Sequence, residues 1–151
     1  MLAALHRLRR ESRAVATIEL AIVLPVLAIM ALGAVDFVRG FTFKIKLQQY
    51  AQSGADFVVA NGEDLPTAAD VKAQVVTLSG LNAADIDVTL WTECNQAKQS
   101  AYGTCPGSSD VKVSFMQILV TKTYNPILAI NGIANFLPST QMTGKAIVRV
   151  P

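Results

Sequence analysis

At 151 residues the chain has room for one modest domain and one further element. Apolar residues make up 52% and charged residues 16%; the net charge of +2 is gathered in residues 1–14, where four arginines face one glutamate, against nine basic and ten acidic residues beyond. That balance excludes a basic nucleic-acid surface. The lone histidine, His6, lies in the basic leader, which excludes a histidine-based triad or His-rich metal site in the chain that follows.

The leader carries Arg7, Arg9, Arg10 and Arg13, and an apolar run follows it. No charge occurs from Leu20 to Val35. Counted from Val15, and accepting Glu19 inside it, the run spans about 31 Å as a helix, close to the ~30 Å hydrocarbon core of a bilayer. Positive residues stay inside, so the arginines predict a cytoplasmic N-terminus and export of everything after Val38. Arg9-Arg10 is only a weak twin-arginine match and is read as topology charge.

Past Asp36 the helical pattern continues. Phe37, Phe41, Ile45, Ala51, Ala55, Val58 and Val59 are expected on one side and Lys46, Gln49, Ser53 and Asp56 on the other, with Lys44 on the apolar side. Asn61-Gly62 is the stop signal. One helix is therefore predicted from Val15 to Asn61, about 70 Å long, bent at Pro25 where the ring removes a donor and crowds the preceding turn. A second helix is predicted after Pro66, opened by Thr67 and Asp70 as a capping pair, with Val71, Val75 and Leu78 buried and Gly80 at its end.

Three strands are predicted next. Ile86, Val88 and Leu90 alternate with Asp87, Thr89 and Trp91; Val111 to Tyr124 is apolar on both faces in its middle; Met142, Ala146, Val148 and Val150 alternate with Thr143, Lys145, Ile147 and Arg149. Asn125-Pro126 breaks the chain between the last two, and a short helix is expected over Ile127 to Phe136. The fold class is α+β: a long N-terminal transmembrane helix continuing into a small exported domain with a short helix and a three-stranded, mostly antiparallel sheet. The expected division is a cleaved leader at 1–14, the long helix at 15–62 and the exported domain at 63–151.

Cys94 and Cys105 lie in the loop before the second strand. Export places them in an oxidising compartment, where a bridge closes about a dozen residues and adds on the order of 3 kcal/mol; the other reading is two unpaired buried thiols. Asp85 and Asp87 match no calcium-loop pattern and are read as a solvated strand edge, and Trp91, Phe115 and Tyr124 as core or sheet-face aromatics. No phosphate loop or catalytic carboxylate pair is recognisable, so neither cofactor nor metal is expected and the protein is read as structural, not enzymatic.

The segment Arg13-Ala14-Val15-Ala16-Thr17-Ile18-Glu19-Leu20-Ala21-Ile22-Val23-Leu24-Pro25 resembles a class III signal, which prepilin peptidase cuts on the cytoplasmic side. More narrowly it resembles the TadE-like family of tight-adherence (Flp, type IV) pilus assembly proteins, which are pseudopilins or minor pilins. Basic leader, small residue, glutamate five positions on, Leu-Pro and overall length carry the resemblance, as does the Asn-Pro-Ile-Leu tail before the final strand. The family usually has glycine where Ala14 stands. The resemblance implies cleavage between Ala14 and Val15, an inner-membrane location with the C-terminal domain in the periplasm, and a part in pilus assembly, either priming it or joining the extracellular pilus. Implied partners are prepilin peptidase, other pilins or pseudopilins, the inner-membrane assembly machinery and the lipid bilayer.

Glu19 supports the same idea from physics. A carboxylate near a membrane core is costly and marks a function. A cut after Ala14 creates an ammonium at Val15, one helical turn from Glu19 or opposite Glu19 of a neighbouring subunit, and the pair sets axial register. Alternatively Glu19 lies among the headgroups and is merely solvated. The rival functions are a secreted binding domain cut after Ala31-Leu32-Gly33, with Ala34 as first residue, and an uncleaved anchor serving as sensor or scaffold.

Overall fold

A computed structural model describes residues 2–62, 64–99, 101–126 and 140–151, with residues 2–14 described by backbone alone. The elements are α1 (Leu2–Ala60), α2 (Ala68–Ser79), a short 3-10 turn (Ala83–Asp85), β1 (Ile86–Cys94), β2 (Ala97–Lys98), β3 (Lys112–Tyr124) and β4 (Thr140–Val150). Two compact units divide the described residues, residues 2–39 with Pro126 and residues 40–125 with 140–151. The short helix expected over 127–136 falls outside the described residues.

In the first unit α1 is helical from Leu2, so the helix begins within the leader rather than at Val15. Pro25 lies inside it. Side chains from Val15 to Leu32 are exposed on every face of the helix.

In the second unit the remaining turns of α1 pack on the sheet. The buried positions are Gly40, Leu47, Ala51, Gly54, Ala55 and Val58, with Phe43 and Tyr50 partly covered. This corrects the stripe expected from the sequence. Ala51, Ala55 and Val58 are inside, but Phe37, Phe41 and Val59 are 76%, 61% and 65% exposed, and Ile45 is exposed as well. The helix is rotated so that small residues meet the sheet. A Cβ added at Gly54 would stand 2.8 Å from Val75 Cγ2 and 3.3 Å from Ile118 Cγ1, so α1, α2 and β3 converge there.

α2 begins as its residues require. The Thr67 hydroxyl accepts from the Asp70 N–H (3.2 Å), while the Asp70 carboxylate accepts from the Thr67 N–H (3.1 Å) and hydroxyl (2.7 Å). The Thr67 hydroxyl first, and its N–H second, hold the Asp70 carboxyl below its ordinary value. Gly80 closes the helix at φ 67°, ψ 13°, donating its N–H to the Val76 carbonyl. Val71 and Val75 are buried as expected; Leu78 is 55% exposed, and Val76 packs on the core in its place.

The sheet has four strands, all antiparallel, in the order β2-β1-β3-β4. The added strand is β2, and it pairs Cys94 with Ala97 and Glu93 with Lys98. Asn95 and Gln96 both take positive φ, 51° and 69°, as the two-residue primed hairpin turn requires. Its second residue is Gln rather than the Gly that usually signals such a turn, so the hairpin left no mark in the pattern. β3 is central, and Met116, Ile118 and Val120 are completely buried. Its alternate residues Phe115, Gln117 and Leu119 lie on the face turned away from the helices, half-buried.

Candidate functional site

The residues singled out in the sequence fall into two places. The first is the start of α1. Arg7, Arg9, Arg10, Arg13 and Ala14 lie on its opening turns. Val15 and Glu19 follow four positions apart, on one side of the helix and about 6 Å apart along its axis. Pro25 comes six residues after Glu19, where its ring leaves the Ala21 carbonyl without an intrahelical donor.

What distinguishes this stretch is that, among the described residues, nothing covers it. Val15 is 54% exposed, and Ile18, Leu20 and Ile22 lie between 59% and 67%. Val15–Ala60 is long and apolar enough to cross a membrane, and none of its most apolar window is buried. A helix apolar all round needs lipid or other helices about it. That fits a single-pass membrane protein. Glu19, exposed among these residues, is the carboxylate such a surrounding has to accommodate. Asp36, the first charge after the apolar run, is 4% exposed. Nothing in local pattern could have foretold its burial.

The second place is the cysteine loop. Cys94 and Cys105 are joined, with Cα atoms 5.8 Å apart. Cys94 ends β1 and is 4% exposed. The loop is also tied to the sheet by Thr92, whose buried hydroxyl accepts the Gly103 N–H (2.8 Å) and lies 3.2 Å from the Ser114 hydroxyl. Asn95 and Asp110 close its base. The Asn95 amide donates to Asp110 (2.7 Å) and accepts from the Val111 N–H (3.0 Å). The bridge spans 11 positions, so Cys94→Ser is expected to destabilise this unit by about 2–4 kcal/mol without changing membrane insertion. Denaturant unfolding of the two forms checks this; coincident midpoints would sink it.

The remaining candidates do not converge. Asp85 accepts from Lys122 at 2.6 Å, whereas Asp87 is exposed on the opposite face of the sheet. Among the described residues no cluster of His, Cys, Asp or Glu could hold a metal ion. Trp91 and Phe115 stack on the outer sheet face with centroids 5.4 Å apart, and Lys98 lies 4.8 Å above the Trp91 ring. Tyr124 packs at a tilt on Phe43. The aromatics are core and sheet-face residues, as expected.

Residues 14–56 match the family model described as TadE-like protein. The matched stretch lies wholly within α1, opens on Ala14 and contains Glu19 and Pro25. No curated protein and no solved structure matches the chain.

Proposed function

Taking the TadE-like segment at residues 14–56 as premise, and with it a role in tight-adherence pilus assembly, we propose that this chain is a pilin-like subunit, a minor pilin or pseudopilin. It inserts in the bacterial inner membrane with the arginine leader in the cytoplasm and residues 63–151 in the periplasm. Prepilin peptidase cuts between Ala14 and Val15. The mature subunit then joins or primes the pilus through its helix. Its work is structural, not catalytic.

The observation that carries this reading is the head of α1. A small residue, Ala14, precedes Val15; Glu19 follows one turn later, within an apolar surface that the described residues leave bare. In a bundle of such helices the surfaces cover one another. The new Val15 ammonium and a Glu19 carboxylate, within one subunit or between neighbours, neutralise each other where either alone is expensive.

The test is the first residue of the mature chain. Protein extracted from membranes of cells with an active prepilin peptidase should begin at Val15. Ala14→Gly should be cut at least as well, and Ala14→Leu should retain the leader because the side chain no longer suits a pocket for small residues. An intact mass that includes the leader in wild-type cells would refute the processing. A chain beginning at Ala34 would instead identify an ordinary secretory signal.

A further inference from the structure

β4 is an edge strand, and α1 closes only part of its edge. The Gln48 side chain behaves there as a strand partner: its amide donates to the Lys145 carbonyl (2.7 Å) and accepts from the Lys145 N–H (3.1 Å). One turn earlier, Lys44 donates to the Thr143 carbonyl. These bonds show that Thr143 and Lys145 turn their backbone groups out of the sheet. The β3–β4 register runs without a bulge from Tyr124↔Thr140 to Ser114↔Val150. Alternation therefore points the N–H and C=O of Ile147 and Arg149 outward too. Among the described residues these groups have no partner. An open edge of this kind is a template for another strand.

The chemistry beside the open edge is basic. Arg149 and Lys112 line an open cleft of about 420 Å³ together with Val113, Ser114, Val150 and Pro151. Both cations are exposed, and the ion pair found among the described residues is elsewhere, Lys122 with Asp85. On the outer face the register sets Trp91 against Phe115 and Phe115 against Arg149. Trp91 already has Phe115 on one ring face and Lys98 over the ring, so it does not offer the bare ring that a sugar would stack on. A second copy of β4 would bring another Arg149 and Lys145 to a basic edge. An acidic strand meets no such repulsion.

We propose that the open half of β4 is a strand-addition site for an extended acidic segment of a partner protein. The segment places a carboxylate opposite Arg149 and, two residues away on the same face, an apolar side chain opposite Ile147. The four outward backbone groups of Ile147 and Arg149 provide the affinity, and the cation provides the selectivity. The site is independent of leader cleavage and of the pilus reading.

Amide hydrogen exchange of the full chain in detergent micelles tests it. The probe is the peptide Thr-Val-Thr-Glu-Thr-Val-Thr, with a counterpart carrying Lys for Glu. In the free chain the Lys145 amide should exchange slowly and those of Ile147 and Arg149 rapidly; the acidic probe should slow both by about tenfold or more. Arg149→Glu should weaken the acidic probe by about tenfold and favour the lysine counterpart. Ile147→Pro removes one outward donor at a position where an edge strand tolerates proline, so the fold should persist while binding is lost. Slow exchange at Ile147 and Arg149 in the free chain would overturn the proposal, as would equal binding of the two peptides.

Discussion

Gly144→Ala is expected to destabilise the sheet-bearing unit by about 3 kcal/mol, at the upper end for overpacking, and Gly144→Val by more. The cause is a backbone contact. A Cβ on Gly144 would overlap the Leu47 carbonyl and stand 2.6 Å from the Gln48 nitrogen, and neither atom is a flexible side-chain end. Moving β4 away would loosen the Gln48 bonds to Lys145 and the Lys44 bond to Thr143. It would also part Ala146 and Val150 from a core shared with Leu47 and Ala51. Ile147→Ala, on the exposed side of the same strand, is the control and should change stability by about 0.5 kcal/mol or less. Denaturant unfolding followed through Trp91, the one tryptophan, measures both. Equal midpoints for Gly144→Ala and the wild type would show that α1 and β4 are not in the contact described.

Glu19→Ala is expected to abolish piliation while leaving the mature chain at its normal level in the membrane. The substitution makes the apolar run more apolar, so insertion should be unchanged or improved. A plain anchor would therefore function normally. In a bundle of processed subunits the Val15 ammonium would lose its partner, and an unpaired buried charge costs about 3–5 kcal/mol, enough to disfavour assembly. Glu19→Asp keeps the charge with a shorter reach and should be intermediate. Surface pili counted by electron microscopy, set beside membrane levels of the processed protein, decide the matter. Normal piliation with Glu19→Ala at equal protein level would remove the assembly role assigned to this residue.

Local features of the chain were sufficient for much of this architecture. The uncharged run after the arginines, the Thr67–Asp70 cap, Gly80 and the alternation in β1 and β4 act through neighbours a few residues away, and each stands in the structure where the sequence predicted it. The start of α1 resembled the TadE-like family on residues that the family model also matches. Of the two readings the sequence left open for Cys94 and Cys105, a bridge or two buried thiols, the structure has the bridge.

Tertiary structure alone decided which face of α1 meets the sheet. Hydrophobicity favoured Phe41 and Ile45, yet Gly40, Leu47 and Gly54 join the expected Ala51 inside, because close approach of a helix to strands selects for small side chains and not only for apolar ones. The same approach made a lysine and a glutamine, Lys44 and Gln48, into partners for the edge of β4. It also left Ile147 and Arg149 open beyond them. These contacts join residues nearly a hundred positions apart, and helical or strand periodicity carries no information over that distance.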